Sequence, residues 1–239
     1  MNATDPSAPA PPPLPPDDST PITSLRAAID AVLRQPARVT NQLRRQGKPG
    51  LVAIFAFVAI GAGLVYGLIV GMFSGGDQLW AAPLKVAAGY LLSALICLPS
   101  LYIFSALAGS TARFSEVCGL VAGMVALMTV LLIGFAPVAW VFSQSTNSVS
   151  AIGTLHLVFW MVATYFGLRF LNIAFGSLTD RTGGLSVWIL IFVLVMLQMT
   201  TALRPLVGTA QTFLPKEKKF FLSHWHDSMR GDATKPGRK

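Results

Sequence analysis

Residues Leu51–Phe73 read LVAIFAFVAIGAGLVYGLIVGMF, a stretch without one charged side chain. A helix needs about 20 apolar residues, rising about 1.5 Å each, to cross a hydrocarbon core of roughly 30 Å. This stretch is long enough. Four more apolar stretches of similar length follow it: Val86–Ala108, Val117–Phe142, Ala151–Phe175 and Leu185–Leu203. The connections between them, about 7 to 12 residues long, are too short for another folded domain. The expected fold is therefore all-α, a polytopic transmembrane helical bundle of about five spans. Every Asp and Glu falls outside these five stretches. That removes the intramembrane carboxylates on which proton relays depend.

Composition agrees. The chain of 239 residues is 53% hydrophobic and 12% charged, whereas a soluble domain carries about 25% charged residues. Four regions follow: a proline-rich tail (1–21), an amphipathic helix with a basic linker (22–49), the spans (50–208) and a basic, aromatic tail (209–239). The tail holds eight prolines, including the run Pro11–Pro13 and the pair Pro15-Pro16, and is expected to be extended and disordered or to serve as a polyproline ligand. The first 50 residues lack the short apolar core and cleavage site of a signal peptide, so Leu51–Phe73 reads as a retained anchor.

Ile22, Leu25, Ile29, Val32 and Leu33 recur at helical spacing, interleaved with Arg26, Asp30 and Arg34. Thr23 or Ser24 caps this helix and Pro36 stops it. Too short and charged to span, it is expected to lie in the membrane interface as an amphipathic helix or to dock on the cytosolic face of the bundle.

Arg34, Arg38, Arg44, Arg45 and Lys48 crowd the approach to the first span, which by the positive-inside rule places the N-terminus in the cytosol. Arg113 and Arg181 then fall on the inner side, and the uncharged Ser143–Ser150 on the outer. Five spans leave the C-terminus outside, although Arg204, Lys216, Lys218 and Lys219 follow the last one. The net charge of +8, carried mostly by the two tails, suits anionic lipid headgroups. No basic domain able to hold nucleic acid is present.

Two motifs concern packing. Ala59, Gly63, Gly67 and Gly71 place a small residue at every fourth position of the first span, and Gly119 with Gly123 repeats the device in the third. In lipid, small residues permit the close backbone contact that holds helices together. The groove serves either the bundle itself or another subunit. Pro99 and Pro137 lie inside the second and third spans, where kinks are expected because each removes a donor and displaces the carbonyl four residues earlier, at Leu95 and Ile133. Ser93 or Ser100 could re-satisfy the freed groups. Cys97 and Cys118 are too far apart in depth for a disulfide and read as small buried residues.

Ionisable residues inside spans are functional candidates. Arg169 leads: it snorkels to the headgroups, pairs with Glu116 or Asp180, or joins Asn172, three residues on, to grip a lipid phosphate. His156 has no acidic neighbour at its depth and is expected to make an interior hydrogen bond, and Lys85 stands at the edge of the second span, where lysines anchor. His224, His226 and Asp227 could offer metal ligands, but Phe220, Phe221 and Trp225 beside them read as an interfacial anchor. No catalytic pattern is found, and neither a cofactor nor a metal is expected.

The layout, with Ala82–Lys85, Cys97–Tyr102 and the Leu203–Gly208 exit, resembles the Yip/Yif type of small membrane-trafficking protein and uncharacterised bacterial multi-pass membrane proteins. The resemblance implies a membrane scaffold or adaptor and transfers no catalytic residue. The expected function is a non-enzymatic scaffold, anchor or assembly subunit in a bacterial cytoplasmic membrane, in contact with other membrane subunits or with itself. A transporter of lipids or small solutes, hinged at Pro99 and Pro137, is the alternative.

Overall fold

The structure, a computed structural model, describes residues 20–46, 49–146, 148–176 and 183–202. Among these residues there are seven helices and no strand: α1 (Leu25–Arg34), α2 (Pro36–Gln46), α3 (Pro49–Ser74), α4 (Gln78–Leu107), α5 (Phe114–Ser145), α6 (Val149–Gly176) and α7 (Gly183–Ala202). Four segments are long and apolar enough to cross a membrane: Gly50–Phe73, Gln78–Leu107, Phe114–Ser145 and Ala151–Gly176. The fifth expected span coincides with α7, whose apolar part, Gly184–Thr200, is shorter.

The centre of the bundle is α5. In its most apolar window 67% of residues are buried, against 33% in each of the other three. It packs against α3, α4 and α6, while α7 packs on the outside of α4. A helix that is apolar all round must be covered all round or face lipid, and the small residues of α5 decide for cover. Gly123 lies against the Phe170 ring of α6, 3.2 Å from where a Cβ would stand, and against Phe55 of α3. On α6, Gly167 makes the matching notch for Met128.

The first small-residue groove is filled by the chain itself. Gly63 faces the backbone of Ala87, Gly67 that of Pro83, and Gly71 the carbonyl of Gln78, 2.6 Å from a would-be Cβ. These are backbone-to-backbone contacts, so α3 and α4 meet more closely than side chains would allow. The turn between them is only Gly75-Gly76-Asp77. Gly75 and Gly76 take φ of 64° and 53°, a left-handed conformation that glycine adopts without a steric penalty.

This tight hairpin shortens the expected connection and starts α4 eight residues earlier than its apolar run suggests. Pro83 and Pro99 both lie inside α4, and Pro137 inside α5, without ending either helix. The hydroxyls expected to repair the backbone near Pro99 act elsewhere. Ser93 donates to the Gly89 carbonyl at 2.7 Å and Ser100 to that of Cys97 at 2.8 Å. The Cys97 carbonyl also receives the indole N–H of the fully buried Trp188 at 2.8 Å, which fastens α7 to α4. Gly109, with φ of 84°, closes α4 in a Schellman turn: Ser110 N–H donates to Ser105 and Gly109 N–H to Ala106, both at 3.0 Å.

The N-terminal region docks against the end of the bundle where α3 and α5 begin, here called the base. Ser24 caps α1, accepting from the Ala27 N–H at 3.2 Å. Pro36 does stop α1, but it also opens α2 over residues expected to be a linker, since proline suits a first helical position. Ala28, Ala31 and Val32 of α1 and Val39 and Leu43 of α2 are buried in the common core. Leu43 fits the notch at Gly119. Arg38 and Gln42 reach back to the incoming chain: the Arg38 guanidinium donates to the Thr20 carbonyl at 3.0 Å and the Thr20 hydroxyl at 2.6 Å. The Gln42 carboxamide donates to that same carbonyl and accepts from the Ile22 N–H at 2.8 Å.

A methyl group separates the tight positions from the open one. Gly67→Ala drives a Cβ into the Pro83 backbone and is expected to cost on the order of 1–3 kcal/mol. Gly61→Ala, with nothing within 4 Å of the added carbon, is expected to leave stability unchanged or slightly raised. Thermal unfolding of the two variants in detergent checks the contrast.

Candidate functional site

Arg169 and Asn172 are both exposed on the outward face of α6. At 100° per residue, Val158, Val162, Tyr165, Phe166 and Ile173 share that face, and all of them are exposed as well. Tyr165 and Arg169 are four apart and Arg169 and Asn172 three apart, so the three polar heads form one cluster on an apolar surface. Arg169 stands seven residues before the last residue of α6, about 10 Å from the helix end. That end lies near the base, as the contact of Phe170 with Gly123 shows. Neither Arg169 nor Asn172 makes a hydrogen bond or ion pair with another described residue; the one ion pair among the described residues joins Arg34 to Asp30.

The expected partners of Arg169 are not on this face. Glu116 is buried, 8% exposed, in the first turn of α5, where a carboxylate is favoured by the positive end of the helix dipole. This overturns the expectation that every acid stands outside the spans: α5 begins at Phe114, three residues earlier than its apolar run, and takes Glu116 inside. Asp180 lies outside the described residues, as do His224, His226 and Asp227. Among the described residues no group of three metal-ligating side chains converges.

Lys85 is the second correction. Expected at a span edge, it sits seven residues inside α4, about 10 Å along the helix, and is 1% exposed. Trp188 on Cys97 and Gly184 on Phe104 set the antiparallel register of α7 against α4. Twelve residues along each helix from that hydrogen bond, Lys85 comes level with Thr200. The early start of α4, imposed by the Gly75-Gly76 turn, is what carries this lysine inward.

A third polar feature links α3 to α6. The Tyr66 hydroxyl lies 2.7 Å from His156 Nδ1, with the two rings edge to face at 5.6 Å. Sequence reasoning expected an interior hydrogen bond for His156 without naming Tyr66. The signal was present but indirect: Tyr66 precedes the groove residue Gly67 by one, which turns it about 100° around α3 from the contact with α4. Elsewhere in the interior, the Tyr90 and Thr164 hydroxyls and the Gln78 carboxamide oxygen are buried without a hydrogen-bond partner. Buried polar groups are almost always paired, with protein or with water. These three atoms are therefore places where water or a solute is favoured.

Tyr66→Phe leaves His156 Nδ1 without its hydrogen-bond partner and is expected to destabilise the protein by about 1 kcal/mol. If the pair acts as one unit, Tyr66→Phe combined with His156→Leu costs less than the sum of the two single changes. Equilibrium unfolding in micelles measures all four members of that cycle.

No protein-family model matches this chain, and no curated protein and no solved structure is significantly similar to it. The reading of its function therefore rests on the geometry above.

Proposed function

We propose that this chain is a non-enzymatic, multi-pass membrane scaffold or assembly subunit whose docking surface for another span is the outward face of α6. The observation that carries this is the cluster of Tyr165, Arg169 and Asn172, exposed on an apolar face with no ion pair to another described residue. A charged side chain within a span is costly unless it pairs or reaches the headgroups. A neighbouring helix with a carboxylate or carboxamide at the same depth, from another subunit or a second copy, satisfies the guanidinium and covers the apolar face together. The small-residue groove of α3 is already filled by α4, so it leaves α6 as the surface with unspent polarity.

In this reading α7 is a fifth span and the base faces the cytosol, as the arginines around α2 favour under the positive-inside rule. The membrane is then a bacterial cytoplasmic membrane, with the C-terminus outside. The likeness to Yip/Yif-type proteins accords with a scaffold or adaptor. A reporter fused at Lys239 that is active only on the outer side supports this topology; activity on the cytosolic side shows an even number of spans.

A photo-crosslinking residue at position 165, in native membranes, tests the docking surface. A discrete protein adduct is expected, lost in Arg169→Glu and retained in Arg169→Lys. Adducts to lipid alone, unchanged by either substitution, would remove α6 as a docking face.

A second reading, a protein that handles lipids or small solutes, is favoured by the buried Tyr90, Thr164 and Gln78 oxygens that lack partners. It expects a polar solute to raise thermal stability in detergent, and Tyr90→Phe to abolish the gain.

A further inference from the structure

We propose that α1 is a lipid-binding helix, docked on the bundle by one face and seated by a second in an anionic membrane surface. Its residues fall into three rows at four-residue spacing. Ala28 and Val32, with Ala31 beside them, are 0%, 1% and 0% exposed and bind α1 to α3, α5 and α2. Arg26, Asp30 and Arg34 form the exposed charged row, in which Asp30 pairs with Arg34 at 3.5 Å. Between these rows runs Leu25, Ile29 and Leu33. Ile29 is partly covered, but Leu25 and Leu33 remain 46% and 43% exposed.

A helix that only docks on protein needs one apolar face. Here a second apolar row lies between the docked row and the charged one, the order that an interfacial helix presents to a bilayer. Two observations commit the occupant to lipid. The first is level: α1 packs beside the start of α3 and of α5, the ends of two membrane-length helices, where headgroups would lie. The second is charge. Arg26, Arg34, Arg44 and Arg113 are exposed at the base, while of its described acids Asp30 is paired and Glu116 is buried. Juxtamembrane arginines within a Debye length of an anionic surface are drawn to it. The docked row holds α1 at that level before lipid arrives, so little ordering remains to oppose binding.

The inference rests on the membrane reading above, but its test separates the two, because a chain that does not belong in lipid will not reconstitute at all. Full-length protein carrying Cys97→Ala and Cys118→Ala receives a nitroxide at Leu25→Cys, Leu33→Cys or Arg34→Cys. Each is placed in vesicles of phosphatidylcholine alone or with phosphatidylglycerol. Labels at 25 and 33 are expected to relax several-fold faster with oxygen than with a water-soluble nickel chelate. The label at 34 is expected to show the reverse, and the contrast should widen with phosphatidylglycerol. Adding Arg26→Glu and Arg44→Glu should erase that widening while the protein still elutes as a single species. Equal access of the nickel chelate at 25, 33 and 34 in both vesicles overturns the proposal. So does shielding of 25 and 33 from both reagents, which would mean that protein covers this row.

Discussion

The meeting of two backbones, at Gly67 and Pro83, is the contact from which the remaining arrangement follows. In lipid the hydrophobic effect gives one apolar helix no reason to prefer another helix over an acyl chain. What remains is dispersion, which falls steeply with distance. Glycine at every fourth position of α3 lets α4 approach until carbonyl and Cα atoms touch. The three-residue turn at Gly75-Gly76-Asp77 holds the partners in register, so the contact is made along the whole hairpin. Once α3 and α4 are joined, α5 has a two-walled trough to fill. Its own small residues, Gly119 and Gly123, then receive Leu43 from the base and Phe170 from α6.

The same hairpin sets the polar geography. Because α4 begins directly after the turn, Lys85 and Tyr90 are drawn into the interior and not left near a surface. Their burial is a by-product of register, and it gives the interior a polarity that composition does not announce. The outer surface differs. There α6 keeps Arg169 and Asn172 on an otherwise apolar face, and the base keeps Arg26, Arg34, Arg44 and Arg113 exposed. Exposed charge among the described residues is thus concentrated where the bundle ends and on one flank of one helix.

The helical class and four of the membrane-length segments were legible in the sequence, because length and the absence of charge suffice to identify them. So was the small-residue stripe of α3, though not its partner: spacing shows that a helix can be approached closely, and says nothing of which helix does so. Helix ends were read less well. Apolar runs begin where hydropathy rises, whereas α4 and α5 begin where the backbone can turn, at Gly75-Gly76 and after Gly109. That difference moved Lys85 and Glu116 from expected edges into buried positions. The α2 helix was missed because its arginines resemble a linker; the signal was Pro36 at a first helical position with Val39 and Leu43 one turn apart. Of the candidate site, Arg169 and Asn172 were found by their residue types alone. That they face outward depends on how α6 rolls against Met128 through Gly167, which no local pattern encodes.

The clasp of Arg38 and Gln42 on Thr20 has a mechanical meaning. A covalent chain normally passes any pull straight along its backbone to the next segment. Here a force applied upstream of Thr20 is diverted sideways into α2 and, through Leu43, into the middle helix of the bundle. Loosening that grip would free this stretch from α2 without disturbing a single span, so its tie to the bundle is set by five hydrogen bonds made to a few residues, Thr20 to Ile22.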